Sequence, residues 1–138
     1  MRFMMLMYPQ IEDDPESWGP DTESLQAMMK YNQSLSEAGV LLALDGLHAG
    51  AEGQRVAFSA DGKATVTDGP FTEAKELIGG YWLIQARSKD EAIEWAKRCP
   101  GRNCMVEVRQ VQELEDFPPE LQAVIDESPV SLGEHAGN

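Results

Sequence analysis

The stretch DGPFTEAKELIGGYW (68–82) holds most of the side chains in this chain that could move a proton or grip a ligand. In Asp68-Gly69-Pro70, the aspartate accepts backbone N–H groups, the glycine tolerates unusual φ and the proline fixes the exit, so turn chemistry explains each residue. The same corner could hold the Asp68 carboxylate at a pocket rim for acid–base work, with Gly69, Pro70 and Phe71 lining it. Glu73 and Lys75 lie two apart. In an extended segment both point to one side and could bind or protonate a polar ligand; in a helix they diverge. A solvated charge pair is the plain alternative. Gly79-Gly80 ahead of Tyr81 implies close approach of a neighbouring strand or of a ligand. The Tyr81 hydroxyl can reach a ligand, or its ring can pack in an interface. His48, in the glycine-flanked DGLHAG, is the one histidine of the body, and imidazole ordinarily titrates where a general base is useful. His48 and Asp68 are therefore the catalytic candidates. Gly69, Pro70, Phe71, Glu73, Lys75 and Tyr81 are the ligand-binding candidates. His48 comes near Asp68 if the second strand neighbours the hairpin that precedes the DGPF corner.

Other chemistries lack their residues. No GxGxxG, P-loop or GxSxG run occurs, and no His/Cys/Asp/Glu spacing supplies a metal set, so neither cofactor nor metal is expected. Cys99 and Cys104 flank a PGRN turn. Their spacing is not CxxC and no second pair exists, so they read as small buried hydrophobes.

The net charge is −13, and its distribution carries the information. Residues 9–23 hold six acids and residues 112–138 hold seven, with no Lys or Arg in either segment, so the remaining body is formally neutral. A basic face for nucleic acid is absent. No apolar run is long enough for a membrane span and no secretory cleavage site follows the N-terminus, so the expected location is the cytoplasm.

The elements that must position the candidates follow from periodicity and punctuation. FMMLMY (3–8) reads as a central strand, stopped by Pro9 and a proline-rich loop. Asp21 or Thr22 caps a helix over 22–38. Its stripe is Leu25, Met28, Met29, Asn32 and Leu35, with Asn32 the polar exception, and Gly39 ends it. VLLALDGL (40–47) reads as a second buried strand. QRVAFSA (54–60) and KATVT (63–67) flank Asp61-Gly62, a hairpin signal for a type I′ turn. YWLIQAR (81–87) is a strand. Ser88 and Glu91 form a capping box before the helix in SKDEAIEWAKRC, and MVEVRQV (105–111) is the last strand. PPELQAVIDE allows a short helix inside the acidic extension 112–138.

The order β-α-β, inserted hairpin, β-α-β predicts an α+β ferredoxin-like sheet over 1–111 with both helices on one face. FMMLMY, VLLAL and YWLI are apolar at both parities, so the opposite face needs a cover. A homodimer pairing sheet against sheet would supply it.

TDGPFTEAKELIGGYW, together with the LMY strand, AGVLLALDGL and DEAIEWAKRCP, resembles the DGPF family of YCII-related proteins over residues 1–111. The resemblance implies a ferredoxin-like subunit forming a dimeric α+β barrel. It also implies either a ligand-sensing or interaction module, some relatives being joined to or encoded with sigma factors, or a small cofactor-independent enzyme acting on a small polar substrate. YCII proteins carry a histidine in the first helix that pairs with an aspartate. Residues 22–38 here contain no histidine, so that dyad does not carry over.

Overall fold

The computed structural model describes residues 1–9, 21–69, 71 and 77–133. Its elements are β1 (Arg2–Tyr8), α1 (Thr22–Glu37), β2 (Leu41–Gly46), β3 (Gln54–Phe58), β4 (Ala64–Asp68), β5 (Gly80–Gln85), α2 (Lys89–Lys97), β6 (Met105–Gln110) and α3 (Pro119–Asp126). Short 3₁₀ turns occupy Gly50–Glu52 and Leu114–Asp116. Strands β2, β5, β1 and β6 lie side by side in that order, every neighbour antiparallel. With the hairpin set aside, this is the interleaved order of two βαβ halves, the ferredoxin-like arrangement that the element order predicts. The β3–β4 hairpin forms a two-stranded sheet of its own.

Local chemistry fixes the helix ends. The Asp21 carboxylate accepts the Ser24 N–H at 2.8 Å, and this bond holds its carboxyl below the usual range. At the other end Gly39 takes φ +73°, the Val40 N–H donates to the Leu35 carbonyl at 3.1 Å, and the Gly39 N–H donates to the Ser36 carbonyl at 3.0 Å. Those two bonds make a Schellman cap. Ser88 caps α2 by accepting the Glu91 N–H at 3.1 Å. The Glu91 carboxylate takes the Arg87 N–H rather than that of Ser88, so the predicted capping box is one-sided.

The core lies between the helices and one sheet face. Phe3 and Met5 of β1, Trp82 and Ile84 of β5, and Tyr31 and Leu35 of α1 are buried there with Ala86 and Ala92. The Tyr31 and Trp82 rings meet edge to face at 5.6 Å. The Tyr31 hydroxyl donates to the Trp95 carbonyl at 2.6 Å, and burial pushes its pKa up. The Trp82 indole N–H donates to the Asn32 side-chain oxygen at 2.7 Å. Asn32, the polar exception in the helical stripe, thus pairs a buried indole N–H that an aliphatic residue would leave unsatisfied.

Three sequence expectations need correction. β2 is an edge strand rather than a buried one. Among the described residues it pairs only with β5, and a register shift between Leu41 and Ala43 leaves Leu42 45% exposed. An apolar run does not reveal how many neighbours a strand will have. The hairpin turn is not type I′. Asp61 has no positive φ, whereas Gly62 sits at +85° and donates its N–H to the Ser59 carbonyl at 2.9 Å. This is a three-residue loop over 60–62 that closes on a left-handed glycine. The second sheet face is also not wholly bare in a single chain. Alternation places Arg2, Met4 and Leu6 of β1 there with Leu83 of β5, and Leu83 is only 5% exposed. The C-terminal segment returns to this face: Arg2 donates to Glu113 at 2.7 and 3.0 Å, and a Cβ built on Gly133 would lie 3.1 Å from the Arg2 guanidinium.

The hairpin is the least covered element, with every residue of β3 and β4 exposed. Val56 and Val66 face each other across it, and Phe58 stands 71% exposed. Among the described residues no helix is long and apolar enough to cross a membrane.

Candidate functional site

Glycine allows three loops to meet at one end of the sheet. The Gly79 N–H donates to the Met7 carbonyl at 2.7 Å, and the Leu47 N–H donates to the Gly79 carbonyl at 2.9 Å, tying the end of β1 to the exit of β2. A Cβ on Gly80 would stand 2.9 Å from the Asp45 carbonyl oxygen, so glycine is what permits β2 and β5 to approach here. Of the two readings of Gly79-Gly80, close approach by a strand is the one observed. The DGPF corner meets the loop between β2 and the hairpin. The Gly69 N–H donates to the Gly53 carbonyl at 2.9 Å, and the half-buried Phe71 ring lies 3.9 Å from where a Gly53 Cβ would be. The Arg55 guanidinium stacks over the Phe71 ring at 3.8 Å, a cation–π contact.

Asp45 and Tyr81 are direct partners across β2 and β5, with side chains on the sheet face away from the helices. The Tyr81 hydroxyl donates to the Asp45 carboxylate at 2.8 Å. That bond first, then burial and the nearby negative charge, raises the phenol above its ordinary range. Leu6 of β1 continues the row to Glu107 of β6, giving Asp45–Tyr81–Leu6–Glu107 across the open face. With its one proton given to Asp45, the phenol oxygen and the free lone pairs of the carboxylate can accept from the hydroxyls of a ligand.

The remaining candidates are placed as follows. His48 projects from the β2 exit with its side chain 93% exposed, and its Nδ1 lies 3.4 Å from a Glu52 carboxylate oxygen. Asp68 is the last residue of β4, exposed, opposite Gln54. No hydrogen bond links His48 to Asp68. The condition for their approach fails, because β2 pairs with β5 and the hairpin is a separate sheet. Pro70, Glu73 and Lys75 lie outside the described residues. The structure thus sets Gly69 and Phe71 against Gly53 and Arg55 at the foot of the hairpin, pairs Tyr81 with Asp45 on the sheet, and leaves His48 and Asp68 facing solvent. Among the described residues no group of three or more His, Cys, Asp and Glu converges as a metal centre would require.

Two hollows open elsewhere. One of about 320 Å³ lies between the end of α2 and β6, lined by Cys99, Cys104, Lys97 and Val106 among others. One of about 270 Å³ lies between α1 and α2, lined by Lys30, Tyr31, Trp95 and Arg98 among others. Among the described residues, neither is lined by Asp68, Gly69, Phe71, His48 or Tyr81.

Sequence reasoning missed Asp45 and Arg55. The available signal for Asp45 was an acid closing an apolar run, ALDG, just before a glycine. Its partner followed only from the β2–β5 register.

The profile of the YCII-related domain matches residues 1–115 of this chain. The chain belongs to the YCII-related family. An uncharacterised protein of Rhizobium meliloti is 36% identical over 58 residues, which span 42% of this chain and 47% of that protein. The match thus covers about half the length of this curated relative. Among solved structures, the 5-chloro-2-hydroxyhydroquinone dehydrochlorinase of Burkholderia phenoliruptrix, in complex with 2,5-dihydroxybenzoquinone, is similar over 82% of this chain and 95% of its own. The sequence identity there is 13% and the TM-score 0.43.

Proposed function

We propose that this YCII-related domain binds a small polar molecule on the open sheet face beside the DGPF corner, at the Asp45–Tyr81 pair. The observation that carries this reading is the 2.8 Å phenol–carboxylate bond set beside Gly80, where β2 and β5 approach closely. A hydrogen-bonding pair standing on an apolar sheet supplies the few placed polar groups and greasy surround that small-ligand sites use. A second copy of the chain completes the pocket. The exposed Leu42 of β2, Leu47 beyond it, and Val56, Phe58 and Val66 of the hairpin give that copy apolar surface to cover. Ligand sensing, with the ligand altering how the dimer presents its hairpins, is the activity this arrangement serves.

A second reading is favoured by the same bond. The bond sets a phenol and a carboxylate side by side, a pair suited to acid–base chemistry on a small polar substrate without a cofactor. Native mass spectrometry of the purified protein distinguishes the cases. The sensing reading predicts a dimer carrying a small molecule that Tyr81→Phe releases unchanged. The enzymatic reading predicts that Tyr81→Phe retains a ligand which the wild type converts. A monomer with no retained mass refutes both.

A further inference from the structure

We propose that Cys99 and Cys104 form a working thiol pair that closes to an intramolecular disulfide by exchange with a small-molecule disulfide such as oxidised glutathione. The pair lies in the segment CPGRNC, which joins the end of α2 to the start of β6. Asn103 takes φ +50°, the single non-glycine residue with positive φ among the described residues. Asparagine tolerates that conformation better than most residues, and it reverses the chain just before Cys104. Both sulfurs then converge on Gly101. A Cβ built there would collide with the Cys104 sulfur and lie 3.8 Å from the Cys99 sulfur. A glycine therefore stands where any side chain would wedge the two thiols apart. Both cysteines are unpaired and half-buried, and they share the wall of the hollow of about 320 Å³ into which a small disulfide can enter.

The exchange balances without a further oxidant. One cysteine thiolate attacks a sulfur of the small disulfide, forming a mixed disulfide and expelling one small thiolate, which takes up the cysteine's proton. The second cysteine, deprotonated in turn, attacks the protein sulfur of that mixed disulfide. The second small thiolate leaves with the second proton. The protein is oxidised by two electrons and the small disulfide is reduced to two thiols. Burial pushes Cys99 up to about 11, with Cys104 adding to the rise, and burial also raises Cys104. Both are therefore thiols at neutral pH, and closure quickens as pH climbs into the alkaline range.

The test incubates the full chain with oxidised glutathione, quenches it with acid, blocks free thiols and reads intact mass without reductant. The wild type should lose two hydrogens and take up no blocking reagent at either cysteine. Cys99→Ser and Cys104→Ser should each stop at a glutathione adduct on the remaining thiol. Gly101→Ala keeps both thiols and should slow closure about tenfold or more while adducts still form, because a methyl then sits between sulfurs whose bond tolerates little displacement. Adducts on both wild-type cysteines without closure would overturn the proposal. So would disulfides linking separate chains, or Gly101→Ala closing at the wild-type rate. Should Gly101→Ala fail to fold, the contrast between the wild type and the two serine variants still decides.

Discussion

Gly80→Ala is predicted to break the joint on which the candidate site rests. The new Cβ would lie 2.9 Å from the Asp45 carbonyl oxygen and 3.4 Å from Gly46 Cα, backbone atoms that cannot rotate aside. Overpacking of this kind costs ~1–3 kcal/mol. The alanine recovers ~0.4–1 kcal/mol by restricting the unfolded chain, leaving a net loss of about 1–2 kcal/mol. For a chain of this length that lowers the melting temperature by roughly 3–10 °C. Gly46, its cross-strand partner, is the internal control. Nothing lies within 4 Å of its built Cβ, so Gly46→Ala should be neutral or stabilise by about 0.5 kcal/mol. Urea unfolding followed by tryptophan fluorescence measures both variants. Equal stability of the two would refute the close-approach argument. In Gly80→Ala β2 must also shift, so the Tyr81 phenol should titrate closer to its ordinary range than in the wild type.

Asn32→Ala leaves the Trp82 indole N–H without its acceptor in the core. It should cost about 1–3 kcal/mol in urea unfolding; a loss under about 0.5 kcal/mol, typical of unpartnered surface positions, would contradict that role. Glu113→Gln removes a carboxyl that the Arg2 guanidinium holds below its usual range. Because the folded-state value is depressed, the pair's stabilisation is present above the ordinary glutamate range and fades as pH falls through it. The variant should accordingly be less stable than the wild type at neutral pH and equal to it in acid, checked by thermal melts across pH. Asp45→Asn replaces the charged acceptor whose hydrogen bond first, and whose negative charge last, raises Tyr81, so ultraviolet difference titration should show one phenol shifting downward, and no shift would dissolve the pair.

The sequence exposed those features whose causes are local. Asp21 and Gly39 mark the ends of α1 because capping needs a side-chain acceptor and a left-handed residue at fixed offsets. Asp61-Gly62 marked the hairpin but not its turn type, since a left-handed glycine serves equally as the third residue of a longer loop. The edge position of β2 was hidden, because Leu41, Leu42 and Leu44 look alike whether or not a second strand flanks them. The same limit applied to the site. Gly79-Gly80 announced a close approach, but the bond between Tyr81 and Asp45 joins residues 36 apart and exists only through the β2–β5 register. His48 and Asp68 were chosen for side-chain type. Type alone does not fix direction, and the fold leaves both in solvent.

The most direct test of the central claim follows the tyrosine ring resonances by NMR while a panel of small phenols and hydroxy acids is titrated into the full chain. Tyr81 faces the open sheet, whereas Tyr31 is buried beside the α1–α2 hollow, so the two rings report different surfaces. The account predicts that Tyr81 shifts first and saturates, that Tyr31 stays still, and that Asp45→Asn abolishes the response. Saturable movement of Tyr31 with Tyr81 unmoved would contradict it and assign binding to the helix side.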